Sequence, residues 1–446
     1  MCNVCGIVSE KFRPQSNYWR KMCEYITNNK AIAANGCFAS GTGDSCYKNV
    51  SGCECFAIVD GKIHNVNVLR QKLALKGNVF ETDNVAELAL LCYFLLGESC
   101  FKLFKGEFCI IIWDGCKKEL IMLRDKVGIN TLFYYFDGLR LVFSSQIKGI
   151  FQFPFVRKEL CDDIYCKLFA LSGSRSCGET LFLNIYEIPP GCYVKYKDLN
   201  VEVKSYHFFC IKDDVDSYEH TVSGFEYLCK HRNEFDYVRE RTLTRQQLMD
   251  NIEKFIEISD FPTPYIDLKT LSNFGAEEVI YDLTGIFNAP HRFRLPSLWC
   301  KKQDKDFLND FLSTLPWFEF KDERDISKKE IVYIKQYIVI PQVVQAKRWA
   351  CKNMVFPYLA EDVAGYCLQS LKYTKKLSRQ FGYEESEKNK ENFKNLKGLF
   401  YDMISDENAM AGFVDKEELL RYARLFPRPE TMLYLLQVNI WLNKYV

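Results

Sequence analysis

Two cysteines at the start of the chain, in Met1-Cys2-Asn3-Val4-Cys5-Gly6-Ile7-Val8, have the type and position for covalent chemistry. A thiol needs a neighbouring base, and a cysteine at a chain terminus can use its own α-amine. Loss of Met1 frees the amine of Cys2, whereas Cys5 keeps its nitrogen in a peptide bond unless Met1–Val4 are removed. The two thiols lie three residues apart, up to ~10 Å along extended chain. Cys2-x-x-Cys5 and Cys53-x-Cys55 together also offer four thiols to a metal. Their spacing is not that of a known zinc finger, so the preferred reading is thiol-rich composition without a metal site.

Short strands and few helices should position these residues. Cys5–Ser9 is a short apolar stretch, and Tyr18–Asn29 carries helical periodicity. Phe56–Val59 is an apolar run ending at a turn signal, Asp60-Gly61. Val66–Lys76 and Asn84–Leu96 read as helices. Glu107–Trp113, Leu120–Leu123, Leu132–Tyr135, Leu139–Phe143 and Tyr193–Tyr196 read as strands, with turns at Asp114-Gly115 and Asp137-Gly138. Residues 207–245 are polar and irregular. From Gln246 the pattern is mostly helical: Gln246–Ile258, Ile266–Asn273, Lys328–Ala350, Leu359–Leu371 and Lys416–Leu425, with one strand-like segment at Val279–Leu283. Glu384–Lys397 is a charge run, read as a solvated helix face or a loop.

With 446 residues, the chain has material for two or three domains. Lys+Arg (59) balances Asp+Glu (58), which gives no general attraction to nucleic acid or anionic lipid. The longest apolar stretch, Leu88–Leu96, is far below the ~20 residues of a membrane span. Charges at Glu10, Lys11 and Arg13 interrupt any signal-peptide core. The expectation is a cytoplasmic protein whose 20 cysteines are reduced thiols.

From Phe56 onward a family resemblance emerges. Asp60-Gly61-Lys62-Ile63-His64-Asn65 stands where asparagine synthetases have N-G-E-I-Y-N, and Val68–Leu73 follows as the next helix. Gly106-Glu107-Phe108, Ile112-Trp113-Asp114, Arg124-Asp125-Lys126-Val127-Gly128-Ile129, Leu132–Tyr135 and Leu141–Lys148 continue in family order. So do Thr180-Leu181-Phe182 and Ile188-Pro189-Pro190-Gly191. About 150 residues thus resemble the glutaminase domain of asparagine synthetases, a class II glutamine amidotransferase. The resemblance implies an α+β fold, a four-layered α/β/β/α sandwich of the N-terminal-nucleophile hydrolase type. The later half is fainter. Leu243–Leu248, and Ile340-Pro341 through Val355–Leu359, resemble parts of the synthetase domain, with Ala360 at an expected aspartate. That half is read as a shortened, mostly helical, degenerate nucleotide-α-hydrolase-like domain.

Carried over by position, the resemblance places the nucleophile at Cys5, by register with Gly6-Ile7, with Cys2 as its rival. Asp60 and Gly61 take the oxyanion position, Asp83 and Asn65 the substrate-binding side, and Asp282 and Gly285 the remnant of the nucleotide site. Several groups the chemistry needs are missing. No arginine lies between Arg20 and Arg70 to fork the substrate carboxylate. Asp60 replaces an amide donor with a group that, when ionised, only accepts hydrogen bonds. The family aspartate that meets the substrate amine falls at Val85 without gaps; Asp83 takes its place only if the turn shifts, and otherwise caps the next helix. No Gly-Gly dipeptide exists for a pyrophosphate loop, and Asp282 alone would not hold Mg²⁺-ATP.

The expected domains are residues 1–206 (amidotransferase-like), 207–245 (irregular connection) and 246–446 (degenerate synthetase-like). The expected function is a catalytically degenerate asparagine-synthetase-like protein acting as scaffold, regulator or partner subunit, with no cofactor and no metal. Its partners would be another protein or a second copy, not nucleic acid or membrane. The alternative is an active amide-forming amidotransferase using glutamine, ATP and Mg²⁺. A second alternative is a thiol-metal binding module.

Overall fold

A computed structural model describes residues 3–8, 17–27, 32–34, 36–74, 83–162, 164, 168, 178–207, 240–259, 261–263, 266–275, 389–405, 409–410, 414–425 and 427–445. It also describes the backbone of 278–280 and 353–355. The chain divides into two compact units. Met1–Glu159 joins Cys177–Phe209, and Leu160–Ser176 joins Cys210–Val446.

The first unit holds two six-stranded sheets, and every strand pair in them is antiparallel. Its strands are β1 (Val4–Val8), β2 (Ile32–Ala34), β3 (Cys37–Gly41), β4 (Asp44–Val50), β5 (Cys53–Ile63), β6 (Gly106–Asp114), β7 (Glu119–Arg124), β8 (Phe133–Phe136), β9 (Leu141–Ser144), β10 (Ile185–Glu187), β11 (Cys192–Lys197) and β12 (Asn200–Ser205). One sheet runs β10-β8-β9-β1-β3-β2 and the other β12-β11-β7-β6-β5-β4. Helices α1 (Asn17–Ile26) and α4 (Ile147–Ile150) cover the first sheet; α2 (Val66–Ala74) and α3 (Val85–Leu96) cover the second. The order is helix, sheet, sheet, helix, so inner strands are buried on both faces. That is why β6 reads as a continuous apolar run, Phe108 to Trp113, instead of alternating. Ala57, Val59, Ile110, Ile112, Ile121 and Leu123 face α2 and α3, while Ile58 meets Val4 and Gly41 between the sheets.

Two local expectations are corrected. Asp60-Gly61 is not a turn: β5 runs through it and stays paired with β6, Asp60 to Cys109 and Gly61 to Phe108. The glycine makes this possible, because its φ of +107° is a conformation side chains rarely adopt. The helix that begins near residue 84 is capped by Asn84, whose side chain accepts from the Ala86 and Glu87 amides, and not by Asp83. An amide oxygen one residue closer to the first turn reaches those donors directly.

Two family segments turn out to be scaffolding. Asp125 accepts from the amides of Val127, Gly128, Ile129 and Asn130. Arg124, fully buried, donates to the carbonyls of Asn130, Ile188 and Gly128 and pairs with Glu187 at 2.7 Å. Pro190 sits over Gly128, so the Arg124–Gly128 loop and the Pro-Pro-Gly turn brace one another.

In the second unit the described residues are mostly helical: Arg245–Ser259, Leu268–Ser272, Lys390–Ser405, Lys416–Leu425 and Pro429–Tyr445. The last of these had no counterpart in the sequence reading. Glu278–Ile280 pairs in parallel with Asn353–Val355. Buried Asn392 ties the segment before the first helix to the third, donating to Glu240 and the Arg241 carbonyl and accepting from the Leu243 amide. Lys328–Ala350, Leu359–Leu371 and most of 207–245 lie outside the described residues. Among the described residues, no helix is long and apolar enough to cross a membrane.

Candidate functional site

Asp60 lies on the inter-sheet side of β5, two residues beyond Ile58, and is 5% exposed. Its Oδ2 accepts from the Asn3 amide at 3.1 Å, the Thr42 amide at 3.1 Å and Thr42 Oγ1 at 2.7 Å. The carboxylate therefore ties β5 of one sheet to the entry of β1 and the exit of β3 in the other. Gly61 follows with its backbone against β6, where a Cβ would stand 2.1 Å from the Glu107 carbonyl oxygen. No donor side chain is added by Asp60 at this point, and an oxyanion formed here would face a negative charge.

Cys5 does not face this carboxylate. Val4 points between the sheets toward Ile58, so Cys5, the next residue on β1, points the other way. Its thiol is fully buried beside Cys23 of α1. Burial holds that thiol well above the ordinary range, and the neighbouring Cys23 adds to the shift. Gly6 is needed for packing, because a Cβ there would strike the Phe143 ring at 2.1 Å. The register Cys5-Gly6-Ile7 thus describes a packed strand. The residue whose backbone reaches Asp60 is Asn3, whose buried Oδ1 has no hydrogen-bond partner. Cys2 lies outside the described residues.

The other sequence candidates are dispersed. Asp83 has a fully exposed side chain and pairs with Arg70 at 2.7 Å. Asn65 bridges the Leu103 carbonyl (2.8 Å) and the Lys105 amide (3.0 Å), fastening the start of α2 to the approach to β6. Asp282 and Gly285 lie outside the described residues. Thr42, whose hydroxyl and amide both serve Asp60, carries no signal of this role in the sequence. Among the described members of the proposed four-thiol set, Cys5 lies against α1 on the first sheet, whereas Cys53 and Cys55 are on β5 of the second. Instead Cys55, Asp114 and Cys116 bring their ligand atoms within 4.8 Å of one another.

Residues 47–207 match the family described as glutamine amidotransferase domain. The chain is similar to glutamine-hydrolysing asparagine synthetase 3 of Bacillus subtilis, with 28% identity over 167 residues, 37% of this chain and 27% of that protein. It is 30% identical to asparagine synthetase 2 of the same organism over 35% of this chain and 21% of that protein. It is 26% identical to a putative asparagine synthetase of Methanocaldococcus jannaschii over 35% and 30%. The matched stretch thus spans less than a third of each relative's length. Among solved structures, a B. subtilis glutamine phosphoribosylpyrophosphate amidotransferase aligns at 12% identity and a TM-score of 0.35, over 87% of this chain and 98% of that one, too distant to add to the fold described above. Over residues 47–207, then, the chain matches a glutamine amidotransferase domain and is similar to glutamine-hydrolysing asparagine synthetases.

Proposed function

We propose that this protein keeps the amidotransferase fold without its chemistry and acts as a scaffold, regulator or partner subunit. Asp60 carries this reading. Hydrolysis of a glutamine side-chain amide through a thiol needs a nucleophile, a base and donors for the developing oxyanion. Here the oxyanion position holds a carboxylate already engaged by Asn3 and Thr42. Cys5 supplies neither thiolate nor amine: its thiol is buried on the opposite face of the strand and its nitrogen is in a peptide bond. The arginine-free stretch from Lys21 to Leu69 adds to the reading. On this proposal the later half is a degenerate nucleotide-α-hydrolase-like domain, no cofactor is needed, and the partner is a protein or a second copy in the cytoplasm. Nucleic acid and membrane play no part.

A second reading keeps glutamine hydrolysis, with ATP and Mg²⁺ serving amide formation. One observation favours it. The chain meets Asp60 at Asn3, so a nucleophile for this position would come from the residues before Asn3, where Cys2 stands.

The test treats the full chain with a glutamine-like electrophilic ketone and reads intact mass beside ammonia release from glutamine. The expected result is neither adduct nor ammonia. A stoichiometric adduct on Cys2, lost with ammonia release in Cys2→Ala, would overturn degeneracy and establish the second reading.

A further inference from the structure

We propose a thiolate metal site on the second sheet, formed by Cys53, Cys55, Asp114 and Cys116 and suited to Zn²⁺ or another soft cation of tetrahedral preference. It is independent of whether the Asp60 position is catalytic.

The strands build the cluster. Pairing of β5 with β6 runs to Phe56 opposite Trp113, one step short of Cys55 and Asp114. Beyond it, the β6–β7 turn folds against β5, since a Cβ on Gly115 would stand 2.1 Å from the Glu54 carbonyl oxygen. Cys116 is thereby brought to the β4–β5 hairpin, where its thiol reaches the Val50 carbonyl at 3.6 Å, and Val50 is paired with Cys53. Cys53 and Cys55, two apart on one strand, share a face. The Cys53 thiol lies beside that of Cys116, and the Cys55, Asp114 and Cys116 ligand atoms lie within 4.8 Å of one another.

Asp114 is oriented in advance. Its Oδ1 accepts the Cys116 amide (3.0 Å) and the Lys117 amide (3.2 Å), and its Oδ2 takes Tyr93 OH and Lys117 Nζ, each at 3.1 Å. Lys117 is 55% exposed, so its ammonium can leave Oδ2 to an incoming cation and stay nearby. Three thiols and a carboxylate make a soft donor set that favours Zn²⁺ over Mg²⁺ or Ca²⁺. Binding releases three thiol protons to solvent and leaves a site of net charge −2, which Lys117 offsets in part. The metal would join the β4–β5 hairpin to the β6–β7 turn.

The test uses the full chain, reduced with a phosphine and stripped with chelator, then titrated with Co²⁺ as a spectroscopic probe and with Zn²⁺ in competition. The expected result is a thiolate-to-cobalt charge-transfer band saturating at one equivalent, with tetrahedral visible bands bleached by Zn²⁺. Cys116→Ser, on an exposed side chain, should abolish the band without unfolding the chain; Cys161→Ser, at a thiol that is not one of the four ligands, should leave it intact. Absence of the band in the reduced wild-type chain, its persistence in Cys116→Ser, or a Cys53–Cys116 disulfide in the protein as isolated would each overturn the proposal.

Discussion

Replacing Asp60 tests how far a site residue has become a structural one. Asp60→Ala removes one acceptor from three donors, the Asn3 amide, the Thr42 amide and the Thr42 hydroxyl. Hydrogen bonds to an ionised group are worth about 1.5–3 kcal/mol each, so the simple sum is about 4–9 kcal/mol. Thr42 is exposed and its two donors can turn to water, and contributions within one cluster do not add. The expected loss is therefore about 2–4 kcal/mol. Asp60→Asn keeps an acceptor oxygen but removes the charge, so about 1–2 kcal/mol should be lost. The assay is urea unfolding, with amide exchange read in peptides covering Asn3 and Thr42, because the two-unit chain needs a local probe. Asp60→Asn also supplies an amide donor at the position that the family resemblance assigns to the oxyanion. Removal of one such donor from a working enzyme costs on the order of 10²–10³ in turnover. If Asp60 were the sole defect, Asp60→Asn would raise ammonia release from glutamine on that scale. The expected gain is none, because Cys5 faces α1. Ammonia release from Asp60→Asn, or an Asp60→Ala variant within about 0.5 kcal/mol of wild type, would refute the reasoning.

Gly61→Ala places a Cβ 2.1 Å from the Glu107 carbonyl oxygen at a φ of +107°, so it should lower stability by about 2 kcal/mol or more, visible as a drop in melting temperature. Arg124→Met strands Glu187 and three carbonyls in the interior and should cost about 3–5 kcal/mol by urea titration, whereas surface Arg157→Met should cost almost nothing. The buried thiols of Cys5, Cys37, Cys92 and Cys100 are all raised by desolvation, Cys92 to about 12. Each folded thiol keeps its proton to a higher pH than its unfolded counterpart. Stability is therefore full below the ordinary thiol value near 9 and falls above it, by about 1.4 kcal/mol per thiol per pH unit. Unfolding free energies at pH 7.5 and pH 10 should differ by roughly 5–6 kcal/mol, and equal values across that interval would count against burial of these thiols.

The first unit was largely legible because its chemistry is local. Short apolar runs separated by Asp-Gly turns marked β6 to β9, and leucines at three- and four-residue spacing marked α3. The Asp60-Gly61 pair misled for a physical reason. The dipeptide is a common turn signal, but a positive-φ glycine also fits within a strand when the partner backbone comes close, as β6 does. The register of Cys5 misled in the same way, since Gly6 is required by the Phe143 ring whether or not the preceding thiol reacts. The Cys55, Asp114 and Cys116 cluster was hidden because Cys55 is remote in sequence from the other two and meets them only where β5 lies beside the β6–β7 turn. The Pro429–Tyr445 helix was missed because it is buried widely around its circumference, with Met432 through Val438 all inside, and so lacks a polar stripe to set its period.

These particulars bear on what family patterns mean in a divergent chain. Arg124, Asp125, Gly128, Thr180 and the Pro-Pro-Gly turn persist, and each makes contacts that hold loops together without any substrate. Their retention follows from folding alone. Asp60 is the informative exception. An amide at that position could serve both the oxyanion and the strand ends, because it donates and accepts. A carboxylate serves only the strand ends, and here Asn3 and Thr42 supply donors that suit it. On the proposed function, the carboxylate fastens one sheet to the other while placing an acceptor-only group where the reaction would build negative charge. A position that has exchanged a catalytic requirement for a packing one in this way supports a structural role for the domain more strongly than the absence of any single catalytic group.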